Sequence, residues 1–399
     1  MPLLQVDEPD RETSRQLAPF ALAFRPFFLL AGIAAAVLIP AWAIAFTLGG
    51  IAPNYYGFIE WHGHEMVFGY AVAVAVGFLL TAARNWTGIE TISGLSLAVL
   101  AGLWLAGRVV PFFPGLLPSW LIAATDLAFL PAVALALGWP LWRARHYKSF
   151  AFVLIFALLG GANAVIHLER LGVLAGGGRQ ALYFAVDLIV LLIVIMGGRV
   201  LPFFTEKALP GVHMRRWPVV EAASVTGMVL LAAVEVGFPG SAAVGGAALL
   251  AAAANGIRLA GWWTRRIWGV PLLWVLHAGY GWLVVGLALR AAASVGWVIP
   301  SLALHALTAG AIGLTTLGMM ARVALGHTGR PLRLPRGMAA GFLLLALAGV
   351  ARVPLPLLFP AQYVLWIGLS GTLWALAFLI FLALYGSILI RARIDGRPG

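Results

Sequence analysis

Long apolar runs, separated by short polar or basic segments, fill the chain from residue 27 to residue 390. Each run is about twenty residues long, the length an α-helix needs to cross the hydrocarbon of a bilayer. The predicted spans are 27–48, 64–84, 92–110, 119–141, 149–170, 182–204, 218–237, 241–262, 270–291, 301–323, 338–357 and 363–390. The pattern therefore predicts an all-α, polytopic integral membrane protein with about twelve transmembrane helices.

Composition supports the same class of protein. Hydrophobic residues make up 62% of the 399 positions and charged residues only 10%, against about 25% charged in soluble proteins. Such a chain lacks the polar surface that covers a globular core in water, so the predicted surroundings are the lipid bilayer. The absence of cysteine excludes disulfides, thiolate metal ligands and thiol nucleophiles.

The net charge of +12 would suggest a nucleic-acid partner in a soluble protein. Here the basic residues cluster at the ends of predicted spans, so topology explains them and no nucleic-acid partner is expected. The basic loops on one side are Arg143-Ala144-Arg145, Lys207 to Arg216, Arg265-Arg266, Arg330 to Arg336 and Arg391-Ala392-Arg393. The positive-inside rule predicts that this side and both termini are cytoplasmic.

A weak internal repeat accompanies the spans. Arg84, Arg199 and Arg322 stand near the ends of the second, sixth and tenth spans, each after a run of small and apolar residues. This pattern predicts three four-helix units, 20–146, 147–266 and 267–394, within one transmembrane domain covering 1–399. Chance similarity between apolar sequences is the alternative explanation.

Histidines within or beside the spans are candidates for function, because ionisable groups in a bilayer are costly. These candidates are His62, His64, His167, His277, His305 and His327. Without thiolates, imidazole nitrogens suit copper or haem iron; the alternative is that each histidine bonds a neighbouring helix. In a regular helix, residues i and i+2 point about 200° apart, so His62 and His64 should not bind one ion there. His62, Glu65 and Met66 should share a face.

Four arginines lie near the predicted outer ends of spans, on the side opposite the basic loops. Arg108, Arg170, Arg290 and Arg352 suit haem propionates through charge-assisted bonds, or snorkel to lipid phosphate. Asp126 and Asp187 lie inside spans, where a carboxylate can carry protons, orient a ligand histidine or bond another helix.

Several motifs resemble the NnrS family along nearly the whole chain. They are Phe24-Arg25-Pro26-Phe27-Phe28, His62-Gly63-His64-Glu65-Met66-Val67-Phe68-Gly69-Tyr70, Asn85-Trp86-Thr87-Gly88, His305-Ala306-Leu307-Thr308 and Gly326-His327-Thr328-Gly329-Arg330. That family is associated with the nitric oxide response of denitrifying bacteria and with bound haem and copper. The resemblance implies a bacterial inner-membrane protein that holds haem b and copper, with nitric oxide as a ligand. The middle third carries fewer motifs, so His167 is the weaker candidate.

The resulting hypothesis assigns His64 and His305 as haem axial ligands, with Arg108, Arg290 and Arg352 as further haem-binding residues. His62 and His277 are the copper candidates, and exchanging the haem and copper roles fits the sequence nearly as well. Whether the protein turns over nitric oxide stays open, and any electron donor must come from outside the chain. The alternative is a transporter or channel that uses the same histidines for a metal ion or protons.

Overall fold

The computed structural model describes residues 16–49 and 54–397. Within these ranges twelve helices are long and apolar enough to cross a membrane, and no strand is present. In chain order they are α1 (Phe24–Leu48), α2 (Phe58–Thr87), α3 (Gly94–Phe112), α4 (Ser119–Arg143), α5 (Tyr147–Arg170), α6 (Gly178–Ala208), α7 (Pro218–Gly237), α8 (Ala242–Gly261), α9 (Pro271–Ser294), α10 (Pro300–His327), α11 (Met338–Leu358) and α12 (Pro360–Ile390). The predicted all-α membrane architecture is confirmed.

Successive helices are neighbours, and α1 packs along α12, so the first and last helices of the chain meet. Helices α2, α6 and α10 are the most buried, with 83%, 67% and 67% of their most apolar stretch inside the protein. We call the side with His62 and His305 the histidine side, and the side with Arg143 and Arg330 the basic side. The boundaries of the three predicted repeat units stay a prediction.

Local signals explain where several helices begin and end. Gly57, with φ of 91°, precedes α2, which starts six residues before the predicted span because Glu60 and His62 interrupt the apolar pattern. Gly88 ends that helix with φ of 68°, a conformation that glycine adopts without strain. Helices α7, α9 and α10 begin at Pro, whose fixed φ and missing N–H suit the first helical position.

Two helices contain a π-helical segment, and each segment directly follows a candidate histidine. In α2 it covers Glu65–Ala71, after His64, and in α10 it covers Ala306–Ile312, after His305. A π-helical turn is wider than an α-helical turn and changes the direction of the side chains that follow; such segments are frequent at functional sites.

The arginine of the first motif joins the two ends of the chain. Arg25 is 1% exposed, and its Nη1 donates to the carbonyl oxygens of Leu389 at 3.2 Å and of Arg391. These carbonyls belong to the end of α12, where helices leave acceptors without intrahelical partners and favour positive charge. The Phe24-Arg25-Pro26 motif is therefore explained by the packing of α1 against α12.

Two glycines of α9 give a matched test of helix packing. A Cβ at Gly286 would lie 2.6 Å from Leu307 Cδ2 and 2.9 Å from its backbone nitrogen, whereas one at Gly281 would meet nothing closer than 3.9 Å. Alanine gains about 1 kcal/mol of helix propensity over glycine, and overpacking costs about 1–3 kcal/mol. We expect G281A to raise or preserve the thermal midpoint in detergent, and G286A to lower it. Equal midpoints would contradict the close contact between α9 and α10.

Candidate functional site

His62 and His305 face one another across a cleft bounded by α1, α2, α10, α11 and α12, which we call the α2–α10 cleft. Their ring centroids lie 6.5 Å apart and their planes are 12° from parallel. The cleft has a volume of about 660 Å³ when the space open to its surroundings is included. Trp42, Met66 and Trp374 are among the residues that line it.

The spacing of the two rings suits coordination of one ion between them. The Nδ1 atom of His305 donates to the Ser301 carbonyl at 2.6 Å, which leaves the lone pair on Nε2, as in most metal-bound histidines. Trp42 stacks on the His62 ring at 4.2 Å and fixes its plane. Two imidazoles that bind opposite sides of one ion through bonds of about 2.0 Å have centroids roughly 6 Å apart, close to the observed spacing.

Arg352 brings a buried positive charge to the same cleft. Its side chain lines the cleft, and its Nη1 is buried with no hydrogen-bond partner. Its Nη2 donates to the Tyr363 hydroxyl at 3.4 Å, and no carboxylate in the described ranges pairs with it. Because a buried, unpaired cation is costly, the cleft fits a ligand that carries a negative group.

A second group of histidines lies on α2, α4 and α5. His64, Asp126 and His167 are buried, and one ligand atom from each lies within 4.8 Å of the others. The Asp126 Oδ2 atom is 3.3 Å from His64 Nε2 and 3.0 Å from His167 Nε2. We call this group the His64–Asp126–His167 cluster. Two imidazole nitrogens and one carboxylate form a donor set that suits a transition metal.

Two further polar groups converge on the same point. Asn163 Nδ2 donates to Asp126 Oδ2 at 2.7 Å, while its Oδ1 lies 2.9 Å from His64 Nε2. The Tyr56 hydroxyl is 3.1 Å from His64 Nε2 and 3.3 Å from His167 Nε2. These short distances describe a site sized for a single ion and too closely packed for a macrocycle.

Outside the cluster, Glu65 and Arg108 hold His64 in place. His64 Nδ1 donates to Glu65 Oε1 at 3.1 Å, which points its Nε2 at the cluster. Glu65 Oε2 lies 3.0 Å from Arg108 Nε, and Arg108 Nη2 also pairs with Asp126. A carboxylate behind a ligand histidine is a recurrent feature of metal sites. Gly107 makes room, since a Cβ there would lie 2.6 Å from Asp126 Oδ1.

Tyr55 and Tyr56 precede α2 and fold inward over the cluster. Burial raises the pKa of Tyr55 to about 12 and that of Tyr56 well above its usual value, and the charge of Asp126 adds to both shifts. Both phenols therefore keep their protons at neutral pH. The Tyr55 hydroxyl lies 3.2 Å from His167 Nδ1, so it holds the outer edge of that ring.

The structure separates His62 from His64, as the helical period predicts: one faces the α2–α10 cleft and the other faces His167. Consequently His305 has His62 as its neighbour, and not His64 as in the sequence hypothesis. The expectation that Glu65 shares the face of His62 and Met66 is wrong. Glu65 starts the π-helical segment of α2 and bonds to His64 and Arg108.

The other two predicted histidines lie outside both groups. His277 Nδ1 donates to the Leu273 carbonyl at 2.9 Å, and the backbone of Trp262 lies beside the same ring. His327 is on the basic side, with its ring 5.8 Å from that of Phe24 and its carbonyl bonded by Arg393. Neither belongs to a group of three or more potential metal ligands among the described residues, and their metal-binding roles stay predictions.

The four predicted arginines differ in their partners. Arg108 pairs with Glu65 and Asp126, and Arg290 pairs with two carboxylates on other helices. Arg170 donates to the Tyr55 carbonyl at 2.7 Å. Among the three arginines proposed for haem binding, only Arg352 has no carboxylate partner within the described residues, which makes it the best candidate for a propionate.

The sequence interpretation made His167 the weaker candidate and did not include Asn163 or Tyr56, and the structure places all three at the His64–Asp126–His167 cluster. Asn163 could have been predicted from the sequence, because it is a polar amide in an apolar span. It stands four residues before His167 and therefore lies on the same helix face. Tyr56 carried no such signal, since a loop residue's direction depends on tertiary packing.

Comparison with known proteins identifies the family. A family model described as NnrS protein matches residues 18–393. The chain belongs to the NnrS family. The match covers all twelve helices, the α2–α10 cleft and the His64–Asp126–His167 cluster of this NnrS-family protein. No curated protein matches the chain.

Proposed function

We propose that this NnrS-family protein binds haem b and copper in the bacterial inner membrane and handles nitric oxide. The observation that carries the proposal is the pair of facing imidazoles, His62 and His305, in a cleft with the unpaired guanidinium of Arg352. The family resemblance supports the identity of the cofactors and the link to nitric oxide.

The haem belongs in the α2–α10 cleft. His62 and His305 would hold the iron, and Arg352 would pair with a propionate. The ring spacing and the uncompensated charge support this assignment. Bound there, haem supplies an iron that changes oxidation state by one electron, with a potential set by its ligands and burial.

Copper belongs in the His64–Asp126–His167 cluster. The donor set also suits zinc or non-haem iron; the family resemblance selects copper. This assignment differs from the sequence hypothesis at both sites. At the haem, His62 takes the place of His64. At the copper, His64 and His167 take the places of His62 and His277. With neutral imidazoles, Glu65, Asp126 and Arg108 leave one net negative charge to balance a bound cation.

The distribution of basic loops supports a topology in which the basic side and both termini face the cytoplasm. The histidine side would then face the periplasm. A transporter is the second candidate function, because interrupted helices are typical of transport sites. Span α4 is interrupted at Ala128, close to Asp126, and α11 at Val353, next to Arg352. Helices α2 and α10 continue past both histidine groups through their π-helical segments, which favours the metalloprotein.

Titration of the dithionite-reduced, detergent-purified protein with nitric oxide tests the functional part of the proposal. Visible and EPR spectra should change saturably as nitric oxide binds. Spectra that stay identical in excess nitric oxide, from protein loaded with haem and copper, would contradict nitric oxide binding and leave the metal sites standing.

A further inference from the structure

A second large cavity opens on the histidine side between α6 and α10, with walls from α7, α8 and α9. We call it the α6–α10 cavity; its volume, including space open to solvent, is about 1070 Å³. Its lining includes the polar residues Arg290, Glu235 and Ser241, which we call the polar part. It also includes Leu304 and Leu307, which we call the aliphatic part. A ligand that fits both parts must have a polar head and an apolar body.

The polar part contains hydrogen-bonding capacity that the protein does not use. Arg290 bonds through Nη1 to Asp187 Oδ1 and through Nη2 to Glu235 Oε2 at 2.8 Å. Asp187 is fully buried and does not line the cavity, but it pairs with Arg290, which does. On the cavity wall itself, the Ser241 hydroxyl has no hydrogen-bond partner. An unmet buried polar group costs about 1–3 kcal/mol, so a ligand with oxygen donors or acceptors would be stabilised here.

The charges around the cavity favour an uncharged head group. Arg290 and the exposed Arg179 at the cavity wall carry two positive charges, and Glu235 and Asp187 carry two negative charges. A phosphate would meet two carboxylates, one of them on the cavity wall, and a metal ion would meet the guanidinium of Arg290. A neutral ring with hydroxyl or carbonyl oxygens is repelled neither by the carboxylates nor by the guanidinium.

Helix α10 separates this cavity from the α2–α10 cleft. Leu304 and Leu307 line the cavity, whereas His305 and Thr308 line the cleft. A helix with its side chains is about 10–12 Å across. A ligand in the cavity would therefore lie one helix away from the site proposed for haem.

We propose that the α6–α10 cavity binds the head group of a membrane quinol, which would serve as an electron donor to the protein. The polar part would take the hydroxyl oxygens and the aliphatic part the ring substituents and tail. On oxidation, two O–H bonds break and the quinol becomes a quinone. Two protons pass to Glu235 and to water on the histidine side. One electron would reduce ferric haem and the other would reduce Cu(II), so that one quinol gives one quinone, one ferrous haem and one Cu(I). These electron acceptors rest on the proposed function, but quinone binding does not.

Calorimetric titration of the full-length purified protein with decylubiquinone tests the site. The variant Leu304→Trp fills the aliphatic part, and Leu95→Trp, at an α3 position that is 81% exposed, is its matched control. We expect saturable binding to the wild type and the control, and at least tenfold weaker binding to Leu304→Trp. Glu235→Gln, which preserves the side-chain volume of a carboxylate on the cavity wall, should also weaken binding.

No binding to the wild type, or equal binding to Leu304→Trp and Leu95→Trp, would overturn the proposal. So would a phospholipid that co-purifies with the wild type and is lost from Leu304→Trp while quinone binding stays unchanged. Failure of the proposed function has a different signature, namely quinone binding by a protein that contains no haem. In a haem-containing sample, decylubiquinol should reduce the haem, and Leu304→Trp should slow that reduction at least tenfold.

Discussion

Replacing His305 by alanine should abolish the haem spectrum of the purified protein, and replacing His62 should do the same. Each variant removes one of the two imidazoles that face one another across the α2–α10 cleft at 6.5 Å. The cleft has no other histidine to substitute for them among its lining residues. Visible spectra and haem extraction from equal amounts of monodisperse protein measure the effect.

His327→Ala is the matched control, because His327 lies on the opposite, basic side and contacts Phe24 and Arg393. It should retain the wild-type haem content. A full haem complement in both His62→Ala and His305→Ala would rule out this cleft as the haem site. Loss of haem from the control alone would move the haem to the basic side.

The second large effect is expected at the His64–Asp126–His167 cluster. His167→Ala should reduce bound copper from stoichiometric to trace amounts, because it removes one of the two imidazoles that meet Asp126 Oδ2. Haem content should stay near the wild-type level, since His167 does not line the α2–α10 cleft. Metal analysis of copper, iron and zinc on the same sample measures both quantities.

His146→Ala, at a histidine in a basic-side loop, is the control for this experiment. Unchanged copper in His167→Ala would remove the cluster from the account and return His277 to consideration as a ligand. Stoichiometric zinc or additional iron in the wild type, in place of copper, would keep the site and change its metal. Asp126→Ala is a poorer probe, because it breaks one of the two buried ion pairs of Arg108. Breaking a buried pair costs about 3–5 kcal/mol and can unfold the protein.

The local pattern of apolar and polar residues was enough to predict the twelve helices, because each apolar run must cross the bilayer on its own. It also predicted that His62 and His64 diverge, since the helical period fixes their relative direction. The partner of each histidine was not predictable in the same way. His64 on α2 contacts His167 on α5. The order of the spans along the chain does not determine which helix faces contact each other.

Two other features escaped the sequence for identifiable reasons. The π-helical segment after His64 turns Glu65 away from the face that regular helix geometry assigns to it. The arginines looked alike in sequence, yet carboxylates from other helices neutralise Arg108 and Arg290 and leave Arg352 unpaired. Tertiary contacts decide both, so a helix-by-helix interpretation does not find them.

The most direct test of the account is an oxidised and a dithionite-reduced visible spectrum of the detergent-purified protein, with iron and copper measured on the same sample. The account predicts a Soret band, a sharp α-band on reduction, and stoichiometric iron and copper. A featureless spectrum from protein that folds and is expressed with ample haem and copper would contradict it.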